Sequence, residues 1–163
     1  EAARKTEGLK RAINDGGYNG IIAGIRRDEE GTRAKERVFS PRGENYEWNF
    51  RDQPPEFWDY FKTDFPAGTH LRIHPLLHWR EIDIWYYIKR ENIPLVPLYF
   101  ARDGKRYRSL GEKHITTPIE SNATTIDEII AELGVTKQAE RAGRVFDHEA
   151  EDVFERLRQS GYM

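Results

Sequence analysis

The sequence predicts an α/β protein, on three observations. Two short apolar runs, 20–25 and 71–76, have the length of strands. Two amphipathic stretches, 6–14 and 79–91, repeat their apolar residues at helical spacing. The order helix, strand, loop, strand, helix is that of an α/β layer.

Residues 6–14 place Leu9 and Ile13 on one face, and Asp15-Gly16-Gly17 stops the helix. Gly20-Ile21-Ile22-Ala23-Gly24-Ile25 is apolar on both faces, which suits a parallel strand buried between covering helices. Residues 49–68 are rich in aromatics and proline and are expected to be irregular, apart from a short helix at 55–61 with Pro55 in its first turn. The second strand is 71–76. The helix 79–91 ends at Asn92, which tolerates a left-handed cap, and Pro94 prevents continuation. Pro94 and Pro97 confine any strand in 93–100 to a sheet edge. Asp103-Gly104 signals a hairpin turn joining 98–102 to 105–110. Thr125-Ile126-Asp127-Glu128 is a capping box opening a helix that Gly134 is expected to close. A last helix is expected at 149–159, with Val153, Phe154 and Leu157 on one face.

Composition excludes several classes of function. The 163 residues carry a net charge of −2 and no block of one sign, which argues against nonspecific attraction to nucleic acid or membrane. No apolar run approaches the roughly 18 residues needed to cross a bilayer. There is no cysteine, so disulfides, iron–sulfur ligation and a thiol nucleophile are excluded within this chain.

The chemistry concentrates in segment 24–37, just past the first strand, where open α/β sheets bind ligands. Gly24 lets a backbone pass close to a ligand. Arg26, Arg27 and Arg33 suit bidentate contact with phosphate or sulfate oxygens. Asp28, Glu29 and Glu30 suit either the orientation of those arginines or water-mediated Mg²⁺ binding. Arg37 closes the segment. Its mixed charges fit a discrete anion site better than a nucleic-acid track, and they equally fit a solvated surface whose ion pairs are each worth under about 1 kcal/mol.

Other constellations carry less. His70, His74 and His78 recur every four residues, yet Pro75 interrupts them and Leu71 and Ile73 alternate with Arg72 as in a strand. Strand residues four apart lie about 13 Å from each other, too far to share a zinc, so no metal site is expected. His78 is a candidate cap for the 79–91 helix. Trp79, Trp85 and Tyr87 are expected in the core before any role in stacking a base. Arg106 and Arg108 alternate and would share a strand face, either gripping an anion or standing on an exposed hairpin. Arg141 and Arg144 flank Gly143, in an anion loop or at a helix end.

Beyond these local signals, the chain resembles a known family along its whole length. Lys5-Thr6-Glu7-Gly8-Leu9-Lys10, followed by segment 24–37, is similar almost residue for residue to the small subunit of bacterial ATP sulfurylase. The likeness continues through Gln53-Pro54-Pro55-Glu56-Phe57-Trp58, then Trp79, Asp83-Ile84-Trp85, Tyr87-Ile88 and Ile93-Pro94-Leu95-Val96-Pro97-Leu98-Tyr99. It resumes at Arg106-Tyr107-Arg108-Ser109-Leu110-Gly111, Glu120-Ser121, Glu140-Arg141-Ala142-Gly143-Arg144 and Gln159-Ser160-Gly161-Tyr162-Met163. The family belongs to the adenine nucleotide alpha-hydrolase-like group, with the phosphoadenylyl-sulfate reductases and eukaryotic-type FAD synthetases.

The resemblance implies a partial Rossmann-like layered sheet with helices over 1–100, the C-terminal part of a nucleotide-binding domain. It implies an irregular C-terminal extension of hairpin and helix over 101–163. The implied reaction is ATP plus sulfate giving adenylyl sulfate and pyrophosphate in the cytoplasm, with Mg²⁺ and a GTPase large subunit as partner. Arg26 and Arg33 take the catalytic positions. Gly24, Arg27, Asp28, Glu29, Arg37, Arg106, Arg108, Arg141 and Arg144 take substrate-binding ones. An FAD-synthetase-like transferase, or a nucleotide-binding or partner-docking fragment without activity, are the alternatives. A reductase would need a nucleophilic cysteine. Two departures stand out: the family's Ser-Gly-Gly-x-Asp-Ser phosphate loop is not in this sequence, and only residues 100–105 separate Tyr99 from Arg106, where the family carries a longer insertion. The expectation is an upstream segment of roughly 100 residues or more that bears the loop.

Overall fold

The computed structural model describes residues 2–58, 60–62, 64–113, 115–137 and 140. They form two compact units: the chain up to Arg26 with Thr32–His78, and Arg27–Gly31 with the described chain from Trp79 onward. The helix expected at 149–159, and Arg141 and Arg144, lie outside the described residues.

The first unit opens with helix α1 (Ala2–Gly16), which buries Ile13 and half-buries Leu9, the face the periodicity indicated. Its end follows from Gly17 at φ 61°: the left-handed turn lets the Tyr18 amide donate to the Ile13 carbonyl at 3.2 Å. Strands β1 (Gly20–Ile22), β2 (Phe39–Arg42) and β3 (His70–Ile73) form one sheet in the order β1-β3-β2. The β1–β3 pairing is parallel, with Ile21 opposite Arg72. The β2–β3 pairing is antiparallel, with Ser40 opposite Arg72 and Arg42 opposite His70.

The first strand is regular only over Gly20–Ile22, and Ile22 is 74% exposed instead of buried on both faces. The second strand begins at His70 and ends at Ile73, short of the proline that removes a ladder donor. Strand β2 had no expectation at all, because Pro41 argues against a strand from sequence; the edge position tolerates it. The described residues of 55–61 form no helix; Phe57 and Tyr60 instead make an isolated antiparallel bridge. Glu56 is drawn to the sheet: its carboxylate accepts from the Val38 and Phe39 amides at 2.8 and 2.9 Å.

The polarity of the sheet is inverted. A strand that alternates polar and apolar residues ordinarily buries the apolar set. In β3 the buried residues are His70 and Arg72, and in β2 they are Ser40 and Arg42; Leu71, Ile73 and Phe39 are only partly covered. His74, just beyond β3, is buried as well.

The second unit is built on helix α2 (Glu81–Glu91) and helix α3 (Ile126–Val135). Helix α2 starts two residues later than the pattern suggested, with Arg80 as its N-cap and not His78. Asp83 reaches back to accept from the Arg80 amide at 2.8 Å, and Asn92 ends the helix at φ 51°. Acidic Glu81 and Asp83 in the first turn and basic Lys89 and Arg90 in the last complement the helix dipole. Helix α3 has the expected box: Thr125 Oγ1 accepts from the Glu128 amide, and the Glu128 carboxylate accepts from the Thr124 and Thr125 amides. Gly134 lies inside this helix and does not close it.

Trp85, Ile88, Ala123 and Ile129 form the core between these helices, and Trp85 packs edge-on to Tyr99. The core reading of the tryptophans therefore holds for Trp85, while Tyr87 is partly exposed with its ring edge-on to Trp79. The Asp103-Gly104 turn forms with φ 54° and 77°, closing one bridge between Arg102 and Lys105. Beyond it the legs share a further backbone bond, from the Tyr107 amide to the Leu98 carbonyl at 3.0 Å. Strand β4 (Lys105–Arg106) pairs instead with β5 (Ile119–Glu120), because 97–99 coils into a 3-10 turn under Pro97.

Candidate functional site

Segment 24–37 runs from the end of β1 through a turn at 27–28 and a 3-10 turn, Gly31–Arg33. An added Cβ on exposed Gly24 would meet nothing within 4 Å, so packing within the chain does not demand a glycine there. Arg26, Arg33 and Glu36 are buried in the first unit, and Arg37 is half-buried there. Arg27, Asp28 and Glu29 belong to the second, where Glu29 is buried and Asp28 exposed. Solvated surface arginines would not be hidden this way, so the plain surface reading fails for Arg26 and Arg33.

In the second unit, Asp28 has a defined structural partner. Its carboxylate accepts the Glu81 amide at 2.6 Å and so satisfies an orphan donor at the start of α2. Glu81 in turn holds Arg108 through Nε at 3.0 and 3.1 Å and Nη2 at 2.7 Å. Beside this pair opens a cavity of about 550 Å³, lined by Asp28, Arg80, Glu81, Tyr86, Arg108 and Lys137 among others. Arg80, whose guanidinium bonds Asp83, is held above its usual pKa by that carboxylate, and Asp83 is correspondingly held below the usual carboxylate range. Arg106 goes elsewhere. Its Nη2 and Nε reach Glu132 Oε1 at 2.6 and 3.1 Å, and Ser121 donates to the other oxygen of Glu132. Arg106 and Arg108 therefore meet two different carboxylates, Glu132 and Glu81.

In the first unit, a polar cluster occupies the buried sheet face. Glu36 Oε2 lies 3.7 Å from Arg42 Nη2 and 4.0 Å from His74 Nδ1. Arg42 Nη1 donates to Ser40 Oγ at 2.6 Å, and its guanidinium stacks on Trp48 with 4.8 Å to the ring centroid. Burial, with Arg72 and Arg42 nearby, pushes His70 down to about 4 against the opposing pull of Glu47. Burial likewise lowers His74, whose Nδ1 lies 2.8 Å from the Arg37 carbonyl. Both imidazoles are therefore neutral near pH 7. Sequence reasoning used Arg72 only to recognise a strand and passed over Arg42. The legible signal was the polar period-two set at 70, 72 and 74, which local pattern assigns to solvent.

Among the described residues no three His, Asp or Glu side chains converge as metal ligands.

These features define an α/β protein with arginines buried beyond the end of a strand that pairs in parallel. The sequence belongs to the phosphoadenosine phosphosulfate reductase domain family, whose profile matches residues 1–118. The small mixed sheet and its helices fit the adenine nucleotide alpha-hydrolase-like fold expected from the sequence.

The chain is also similar to proteins named sulfate adenylyltransferase subunit 2. Identity is 41% with that of Colwellia psychrerythraea, 40% with that of Saccharophagus degradans and 40% with that of Caulobacter vibrioides. Each alignment covers 97% of this chain and 60 to 62% of the relative. The chain thus spans about three-fifths of the length of these curated relatives, whose names mark them as one subunit of an assembly. No described helix is long and apolar enough to cross a membrane.

Proposed function

We propose that this chain is part of a sulfate adenylyltransferase small subunit, which transfers the adenylyl group of ATP to sulfate. The observation that carries the reading is about 40% identity along 97% of the chain to sulfate adenylyltransferase subunit 2. The absence of cysteine supports it against reduction, since a thiol-dependent reductase would find no nucleophile in this chain.

In this reading a sulfate oxygen attacks the α-phosphorus of ATP, the bond to the bridging oxygen breaks, and pyrophosphate leaves. No covalent intermediate is required. Arg26 and Arg33 supply fixed positive charge where negative charge builds on the α-phosphoryl oxygens. Gly24 gives close backbone approach, and Arg27, Glu29 and Arg37 orient the substrates around it. Asp28 and Arg108 act through the α2 N-terminus and the cavity beside it, with Arg106 fixing the strand before Arg108. Arg141 and Arg144 complete the binding set. Mg²⁺ enters with ATP.

The product anhydride is uphill, so the complete protein draws on a GTPase large subunit as its partner, in the cytoplasm. The test is sulfate-dependent exchange of labelled pyrophosphate into ATP by the intact protein with its co-purified partner. Exchange that requires sulfate and is stimulated by GTP is the expected result. Sulfate-independent exchange, or full turnover without GTP or partner, overturns it.

A further inference from the structure

Two arginines of the second unit are bonded alike and placed differently. Arg106 meets Glu132 and Arg108 meets Glu81, each through Nε and Nη2, with closest contacts of 2.6 and 2.7 Å. A pair of this kind can serve folding alone. Neither Arg106 nor Glu132 lines the cavity of about 550 Å³ in this unit, whereas Arg108 and Glu81 both do.

Glu81 also stands where three pieces of chain meet. It is the first residue of α2, a helix anchored in the core by Trp85 and Ile88. Its amide donates to Asp28 Oδ2 at 2.6 Å, and its carboxylate grips Arg108 from beyond β4. The main chain and side chain of one residue thus fix Asp28 and Arg108, the two groups that adenylyl transfer would use beside this cavity.

We propose that Glu81 is the positioning residue of this site, holding Arg108 with its guanidinium already oriented for an anionic substrate. The inference rests on the adenylyl-transfer reading and adds to it a residue that acts through Arg108. An arginine side chain loses much rotamer freedom when its fork is fixed. Glu81 imposes that order before substrate arrives, so substrate binding does not bear the cost. The grip through two nitrogens also sets the plane of the guanidinium, which a single hydrogen bond leaves free to turn. Glu81 is 8% exposed, so little water competes for its carboxylate. Set on a helix instead of a loop, it carries positional precision from the core to the cavity.

Sulfate-dependent pyrophosphate exchange by the intact protein with its co-purified partner is measured over a range of ATP and sulfate concentrations. Urea midpoints are taken for each variant. Loss of folded enzyme lowers the maximal rate and leaves KM where it was; a displaced Arg108 raises KM. In Glu81→Gln the KM for ATP or for sulfate is expected to rise about tenfold, the substrate affected being the one that Arg108 meets. In an Arg108→Gln background, Glu81→Gln should add less than about twofold, because the two residues act as one unit. Glu91→Gln, the same substitution at the exposed end of α2, should match wild type.

If Glu81→Gln does not fold, Glu81→Asp decides the matter, since it keeps the charge and withdraws the carboxylate by one methylene. The same KM is expected to rise. Unchanged KM values in the folded variant, or effects that multiply in full in the double variant, overturn the positioning role and leave adenylyl transfer standing. A wild type with no sulfate-dependent exchange overturns both.

Discussion

Arg108 closes on Glu81 with Nε and Nη2, and through the Glu81 amide that contact is continuous with the carboxylate of Asp28. One side chain from beyond β4 and one from segment 24–37 therefore meet at the first residue of α2. Both members of the Arg108–Glu81 pair are largely buried. Removing one leaves the other as an uncompensated charge, so Arg108→Ala is expected to destabilise the folded protein by about 3 kcal/mol. Urea unfolding followed by tryptophan fluorescence measures it, and a loss below about 0.5 kcal/mol would show a pair that is merely superficial.

Arg26 and Arg33 are expected to matter for rate more than for folding. In the intact enzyme, Arg26→Ala or Arg33→Ala should reduce sulfate-dependent pyrophosphate exchange by about 2 to 4 kcal/mol of transition-state stabilisation, the range for a lost preorganised donor. Thermal midpoints measured alongside separate this from unfolding. Near-wild-type exchange in both variants would remove them from the catalytic assignment.

The buried histidines make stability depend on pH with a definite sign. His70 has a folded pKa of about 4 against 6.5 when free, from burial and from Arg72 and Arg42. Between those values the unfolded chain binds a proton that the folded chain refuses. Stability is therefore full above about pH 6.5 and is lost as pH falls towards 4, by about 3 kcal/mol over the whole window. His74, lowered by its own burial, acts in the same direction. Denaturant midpoints at pH 7.5, 6 and 5 should fall in that order, with a shallower fall in His70→Gln. Midpoints that rise on acidification would contradict the burial of these rings.

Helix α3 offers a local test. Thr125 Oγ1 accepts the Glu128 amide while Glu128 serves the amides of Thr124 and Thr125. Thr125→Ala should cost about 1 kcal/mol of stability, and Thr125→Ser much less. The same urea experiment reads it, and an unchanged midpoint in Thr125→Ala would show that the cap is dispensable.

Much of this architecture is written locally. The Thr125–Glu128 box, the Asn92 cap, the Gly17 stop and the Asp103-Gly104 turn each depend on residues within four or five positions, and each stands where the sequence placed it. Local terms are legible because backbone geometry and near-neighbour hydrogen bonds hardly depend on the rest of the chain. They also misled: Pro55 suggested a helix that the pull of Glu56 towards the sheet replaces, and Pro41 hid an edge strand.

The sequence by itself determined the α/β class, the helices around residues 6–14 and 79–91, the helix opened by the Thr125–Glu128 box, and the clustering of arginines past the first strand. Tertiary structure alone decided which face of His70-Leu71-Arg72-Ile73 turns inward, and which carboxylate each arginine meets. Alternation announces a strand without saying which set is buried, since that depends on what packs against the sheet. The choices Arg106–Glu132 and Arg108–Glu81 join residues 26 and 27 positions apart. Coulomb attraction in a buried setting depends on distance in space and on desolvation, and neither is written in the spacing of charges along the chain.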